Sequence, residues 1–370
     1  MSLRHQSEKN AKIGLITTLD TNIGDDFIRL GIQRVLRVVF PEPRWVMLNK
    51  HRPKTVWPLA HPCRHLPLWA PRWRRAFRRV GNSRFHGCDA IVQCGAPVIW
   101  NGCARCEWNL PVWQDVVRDL HESIPVMNLA IGSAYSLSAI PERIRSEADR
   151  AFIRSILGYC RLTTARDALA QKLVAELGVD IPLVHCSAGL AFDVPDAPAG
   201  GDLVLVNYMF KAGHYDFTND IDGAQWEHVA ATVLAHVARR FNVVFICHNQ
   251  KEMDLATQRF PQYKSVLPTS AADYEQLART GCLGLFNRLH AAVACAGMGI
   301  PSVAVGNDTR TMMVEEYGVP VFDVRRCSAE DLIEAFEGLV QRRQEERVRL
   351  LALRKSVLDQ YAELVQKAMT

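Results

Sequence analysis

Arg288 and His290 stand close together, directly behind Asn287 and the apolar run that ends at Phe286. Such a place is a strand-to-helix junction in an α/β chain. Free backbone N–H groups and the positive end of the helix already favour an anion there. A guanidinium and an imidazole beside them would hold a phosphate or carboxylate and could move a proton. Asn287 fits the N-cap, which puts Arg288 and His290 in the first helical turn. A plain helix start around a buried structural histidine fits the same pattern. Two more arginines occupy comparable places: Arg166 follows the apolar run 162–164 and precedes Asp167, and Arg310 follows the run 302–305. Arg166, Arg288 and Arg310 could therefore face one cleft and take an anionic, phosphorylated substrate.

Two further junctions bear on chemistry. In Leu19-Asp20-Thr21-Asn22-Ile23-Gly24-Asp25-Asp26, Asn22 and Gly24 suit a tight turn, and Asp25 or Asp26 can cap the following helix. The segment is not a G-x-G-x-x-G fingerprint and lacks a P-loop lysine, so nucleotide motifs fail there. In Gln93-Cys94-Gly95-Ala96-Pro97, Gly95 permits close backbone approach to a ligand. The single C-x-x-C, Cys103 and Cys106, has no second pair at zinc-ribbon spacing, and neither a metal nor a cofactor is expected.

These junctions need strands and helices to carry them. Strand patterns fall at 12–18, 45–48, 89–94, 126–131 and 162–164, with helical spacing at 25–39 and 108–120 between them. After the Pro-, Gly- and Ala-rich stretch 193–202 the alternation restarts. It gives strands at 203–207, 243–247, 282–286 and 302–305, and helices at 224–240, 271–280, 288–298 and 311–317. The expected fold is α/β: two Rossmann-like, doubly wound domains facing a central cleft. Residues 1–192 form the first domain, 193–202 the linker and 203–327 the second. Residues 328–370 form one or two helices, part of which crosses back onto the first domain.

The 370 residues, 48% hydrophobic and 22% charged, supply two cores and exclude a disordered, collagenous or disulfide-scaffold protein. Eleven cysteines, mostly inside apolar runs, suit a reducing compartment. No apolar run reaches the roughly 18 residues of a membrane span, and residues 1–12 are polar, so a cytoplasmic protein is expected. Residues 64–86 hold seven arginines and no acid, which leaves the remainder at −2 out of a net charge of +5. Trp69, Trp73, Phe77 and Phe85 are interleaved with them. This segment either contacts an anionic membrane surface or is a solvated helix whose aromatics enter the core. Nucleic acid is not an expected partner, because no recognition motif accompanies the patch.

Four segments, in order, resemble the polysaccharide pyruvyl transferase family: KIGLITTLDTNIGDD, DAIVQCGAPVIW, CRLTTARDALAQKLVAELGV and GLFNRLHAAVACAGMGIPSVAVGNDTRTMMVEEYGVP. The last is the specific one, and the likeness spans about residues 12 to 325. It implies a glycosyltransferase-B-like fold and transfer of a pyruvyl group from phosphoenolpyruvate to a sugar of a polysaccharide or lipid-linked glycan precursor, forming a ketal. It implies His290 as general acid or base and Arg166 and Arg310 as donor-binding cations. Arg288 would support the anion, with Asn22, Gly24 and Asp25 lining the cleft. The family usually has Lys where Arg310 stands, a Gly-Gly-Gly turn where Cys94-Gly95-Ala96 stands, and Asp-Pro where Ala188-Gly189 precede Phe192. Two alternatives are a nucleotide-sugar glycosyltransferase of the same architecture, with Glu315 or Glu316 on a ribose, and a degenerate, non-catalytic binding subunit.

Overall fold

The computed structural model describes residues 10–67, 69–78, 81–195, 201–213 and 215–370. Half of the expected linker, 196–200, lies outside the described residues. Twelve strands are described: β1 Lys12–Thr17, β2 Arg44–Asn49, β3 Ala90–Cys94, β4 Pro97–Ile99, β5 Val126–Ser133, β6 Leu162–Ala165, β7 Leu203–Asn207, β8 Asn242–Ile246, β9 Lys264–Val266, β10 Leu283–Phe286, β11 Ser302–Gly306 and β12 Val321–Asp323. They form two sheets, and every pairing within them is parallel. The first sheet runs β2-β1-β3-β5-β4, with β6 also against β5; the second runs β12-β11-β10-β7-β8-β9.

Alternation along the strands explains the layers, because successive side chains leave opposite faces. Ile13, Leu15 and Val92 pack on one side with Ile32 and Val35 of helix Ile23–Val39. Ile16 and Ile91 pack on the other with Trp113, Ile153 and Leu173. In the second sheet, Val204, Val206 and Phe245 meet Leu332 and Phe336 of helix Ala329–Gln341. Leu205, Ile246 and Phe286 meet the helix Leu289–Gly297. That last layer also takes Phe27 and Ile28 from helix Ile23–Val39, so one core joins the two sheets. Full burial of Phe27 contributes roughly 1.5–3 kcal/mol to this junction.

The carboxy-terminal stretch is two helices, Ala329–Gln341 and Arg343–Met369. The second lays Val357, Tyr361 and Val365 into the core of the first sheet. Its Arg354 donates to the carbonyls of Gly189 (2.9 Å), Gly297 (2.9 Å) and Phe192 (2.7 Å). Those bonds fasten the second half of the chain to the segment leaving the first.

Two expectations change. The helix read at 108–120 is a wide, π-type turn over Asn109–Val117 followed by Arg118–Leu120, and it begins one residue before Leu110-Pro111. A proline with no N–H early in the element removes a donor, which loosens the regular ladder. Gly95 is not at a strand-to-helix junction. It sits at a kink between β3 and β4, which follow one another along β5, and opposite it β5 bulges at Ala130 with φ 57°. The bulge redirects Gly132 and Ser133 toward the end of β6.

Candidate functional site

The second sheet has the strand order in which β7 and β10 are neighbours and the chain runs outward from them on both sides. Ligands of such sheets bind where that order divides, outside the carboxyl ends of the strands. A cleft of about 910 Å³ opens there, lined on one side by Thr21, Asn22 and Gly24 and on the other by residues following β7, β8, β10 and β11.

His290 is near the start of helix Leu289–Gly297, and its side chain abuts the turn of the first half. A methyl group on Gly24 would stand 3.3 Å from His290 Cβ and 3.4 Å from Nδ1. Asn22 caps helix Ile23–Val39 by accepting from the Gly24 N–H (3.1 Å), which shapes that turn. Arg166, which follows β6, donates from Nη1 to His290 Nε2 (3.3 Å). A guanidinium has no acceptor, so Nε2 must offer its lone pair, and the proton of the neutral ring sits on Nδ1. Burial, then the charges of Arg166 and Arg310, hold the His290 pKa well below that of an ordinary histidine.

Arg166 itself is 0% exposed and does not line the cleft; it stands behind the imidazole. Its Nε and Nη2 find no hydrogen-bond partner among the described residues. Gly132 makes room for it, because a Cβ there would lie 2.5 Å from Arg166 Nε. The neighbouring Asp167 caps helix Ala168–Ala175 through Ala170 N–H (2.7 Å) and also accepts from Ser133 N–H and Oγ (both 2.9 Å). Ser133 Oγ in turn meets Thr309 Oγ1 at 2.8 Å, and Thr309 N–H donates to Tyr135 O at 2.8 Å. The strand end that carries Arg166 is thereby locked to the segment that carries Arg310.

Arg288 and Arg310 do line the cleft, and each is already held by a carboxylate. Arg310 forks onto Asp308 through Nε (2.8 Å) and Nη2 (2.6 Å). Arg288 binds Glu252 through Nε (2.8 Å) and Nη2. Burial pushes the Glu252 carboxyl up, but Arg288 and His248 outweigh it and the net shift is downward, so the pair is ionised. The expected convergence of three arginines is thus two on the cleft wall and one behind it.

Asn287 is not the helix cap. Arg288 occupies that place with no side-chain cap, while Asn287 accepts from Met209 N–H (2.8 Å) and donates to Val305 O (3.0 Å). It ties the rims of three strands, because an amide can accept from one neighbour and donate to another. Gly95 lies outside the cleft lining, where its Cβ position would meet Ile28 Cγ2 at 2.5 Å. Asp25 is not among the lining residues either, although its charge acts on Arg310 and on Lys50.

Three residues of this region escaped the sequence reading. Lys50, at the end of β2, is buried enough to lower its pKa and interacts with Asp25 and Arg166. His248 lines the cleft at 8% exposure, and neither ring nitrogen has a hydrogen-bond partner among the described residues. Burial first, and Arg288 second, push its pKa down to about 3. Phe210 follows β7 and stays 49% exposed. Each stands just past a strand end, and that position is the one signal the sequence offered for them.

The arrangement can hold an anion against Arg288 and Arg310 and pass a proton at His290. Comparison with known proteins places it. The chain has the fold of UDP-GlcNAc 2-epimerase from Neisseria meningitidis bound to UDP-GlcNAc (TM-score 0.53, 10% identity, 96% of this chain and 100% of that one). It is similarly related to a putative UDP-N-acetylglucosamine 2-epimerase from Listeria monocytogenes (0.53, 13%, 93% and 91%) and a glycosyltransferase from Rickettsia africae (0.50, 11%, 96% and 99%). At such identities the likeness establishes the glycosyltransferase-B-like fold and no more. No curated protein matches the chain in sequence. The sequence profile of polysaccharide pyruvyl transferase matches residues 22–309, from the Asn22 turn through the His290 helix to the strand end before Arg310. The chain belongs to the polysaccharide pyruvyl transferase family, a family of transferase enzymes.

Proposed function

We propose that this enzyme transfers a pyruvyl group from phosphoenolpyruvate to two hydroxyls of a sugar in a polysaccharide or lipid-linked precursor. The observation that carries the reading is the Arg166–His290 contact of 3.3 Å at the meeting of the two halves, with Arg288 and Arg310 on the adjoining wall. The chemistry balances simply. One hydroxyl adds to C2 while C3 gains a proton and becomes a methyl group. The second hydroxyl then displaces phosphate from C2, and its proton leaves with the phosphate. Arg310 and Arg288 hold the phosphate and carboxylate, and His290 handles the proton at C3 and at the attacking hydroxyl. A neutral imidazole is a poor acid. The doubly charged donor offsets the surrounding cations, raises the His290 pKa on binding and brings the proton the first step needs.

Arg310 serves here as an anion clamp, since a guanidinium already forked on Asp308 does not readily release a proton. Incubation with phosphoenolpyruvate and candidate glycans, following phosphate release and a product heavier by one pyruvate less water, tests the reading. Parallel titrations with UDP- and GDP-sugars are the control. Turnover of a nucleotide sugar with no phosphoenolpyruvate-dependent product contradicts the proposal.

The reading extends to contact with an anionic membrane through residues 64–86. Trp69 and Trp73 are 82% and 65% exposed, and Arg72 and Arg75 are exposed beside them. Arg74 and Arg78 are not available: Arg74 pairs with Asp115 (2.8 Å) and Arg78 with Asp119 (2.5 Å). Phe85 is buried and Phe77 half-buried, so those aromatics serve the fold. No helix among the described residues is long and apolar enough to cross a membrane. Sedimentation with phosphatidylglycerol vesicles should fall several-fold in a Trp69→Ser, Trp73→Ser, Arg72→Ala, Arg75→Ala variant; unchanged sedimentation removes this part of the proposal.

A further inference from the structure

We infer that Phe210 is the platform on which a pyranose ring of the acceptor stacks, beside the reacting centre. The inference rests on the reading of the cleft as a sugar-modifying site. β7 and β10 are hydrogen-bonded neighbours, and the loop bearing Phe210 leaves one as the segment bearing His290 leaves the other. Both residues line the same cleft. That cleft, at about 910 Å³, is far larger than a three-carbon phosphorylated acid requires, which leaves room for a sugar beside the donor.

The loop is built to hold the ring in place. Lys211 and Ala212 are consecutive non-glycine residues in the left-handed region, with φ of 58° and 53°. Such a pair costs free energy and persists only where the surroundings impose it, as at ligand sites. Here the surroundings are visible. Trp226 Nε1 donates to Met209 O (3.1 Å), and Lys211 Nζ donates to Thr218 O (3.0 Å). Gly213 fits against the Asn307 side chain, where a Cβ would lie 2.4 Å from Oδ1. The edge of the Phe210 ring rests on Gly223, where a Cβ would lie 2.4 Å from Cζ. Asn307 leads into Asp308 and Arg310, so the platform is packed directly against the loop of the donor-holding cation.

An aromatic ring fixed in this way and still 49% exposed presents apolar area to the cleft. The axial C–H face of a pyranose matches it, and its hydroxyls project outward toward polar groups at the rim. The Lys211 ammonium stands over the ring, 5.9 Å from its centroid, which leaves the other face for the sugar and puts a donor within reach of its hydroxyls.

Saturation-transfer NMR on the full chain tests this without any donor present. The probes are the methyl pyranosides of galactose, glucose, mannose and N-acetylglucosamine, with uridine as comparison. The parent and Phe210→Tyr should transfer saturation to the ring protons of at least one pyranoside. Phe210→Ala should lose that transfer at least five-fold while binding phosphoenolpyruvate as the parent does. Under turnover, the acceptor KM should rise at least ten-fold in Phe210→Ala and recover in Phe210→Tyr. A panel silent in the parent, pyranoside signals unaffected by Phe210→Ala, or dependence on Phe210 confined to uridine each overturn the inference. If pyranoside signals depend on Phe210 while phosphoenolpyruvate neither binds nor reacts, the platform stands and the donor assignment falls.

Discussion

The rims of the two sheets meet in one cleft but do different work. The second sheet supplies most of the wall: Arg288, His290 and Arg310 all stand on it, as does Phe210. The first sheet contributes a turn, Asn22 to Gly24, and from behind the wall the buried Arg166. On the proposed function, the second rim supplies the charged groups of the wall and the first sets the state of His290 from behind. The lesson is that a charged residue can matter most where no ligand reaches it, because a buried cation fixes the tautomer and lowers the pKa of the group in front.

The sharpest break in this division is removal of the presenting group. His290→Gln should lower turnover by on the order of 10²–10⁴-fold, the usual worth of a positioned acid or base, while phosphoenolpyruvate still binds in a calorimeter. Turnover within a few-fold of the parent would show that the second rim does not do the chemistry.

Removing the group behind comes next. Arg166→Met should cut turnover about 10²-fold and let the His290 pKa rise toward its ordinary value, moving upward the alkaline limb of the pH–rate profile, where the protonated ring is lost. Its thermal midpoint should hold or rise, because a buried guanidinium with two unpartnered nitrogens is itself costly. A profile that keeps its shape would demote Arg166 to packing.

Arg310 sharpens the comparison within the presenting rim. Arg310→Lys keeps the charge and should change turnover only a few-fold, whereas Arg310→Ala should raise the phosphoenolpyruvate KM about ten-fold, the loss of one charge-assisted contact. A large gain on restoring lysine would instead mean that this position moves a proton.

The smallest effect concerns stability. His248 titrates at about 3 in the native protein and at about 6.5 when unfolded. Between those values only the unfolded chain takes up a proton, so stability is lost as pH falls through the unfolded value. From pH 7 to pH 5 the loss is on the order of 2 kcal/mol. His248→Phe keeps the ring packing against Phe27 and Tyr274 and should flatten that part of the acid dependence. An unchanged slope in denaturant melts at pH 5 and 7 would remove His248 from the account.

Much of this was legible in the residues, for identifiable reasons. Long apolar runs such as 126–131 and 203–207 can be buried in a parallel sheet with few readings, and the observed strands Val126–Ser133 and Leu203–Asn207 follow them. Pro97–Ile99, Lys264–Val266 and Val321–Asp323 were missed because three residues carry no periodicity. The junction of Arg288 and His290 was visible from its type and place. What could not be read was depth. Whether Arg166 faces the cleft or stands behind it depends on the Ala130 bulge and the room left by Gly132, which belong to tertiary packing. Gly95 misled for a related reason: a kink in a continuing path along β5 has the same local residues as a turn into a helix.

The most direct measurement is the imidazole ¹⁵N spectrum of His290 during a phosphoenolpyruvate titration at pH 7, assigned with His290→Gln. A ring that is neutral in the free protein, with its proton on Nδ1, and becomes imidazolium as the donor saturates is the predicted result. A His290 already charged before the donor arrives, or one whose signals the donor leaves untouched, would contradict the account at its centre.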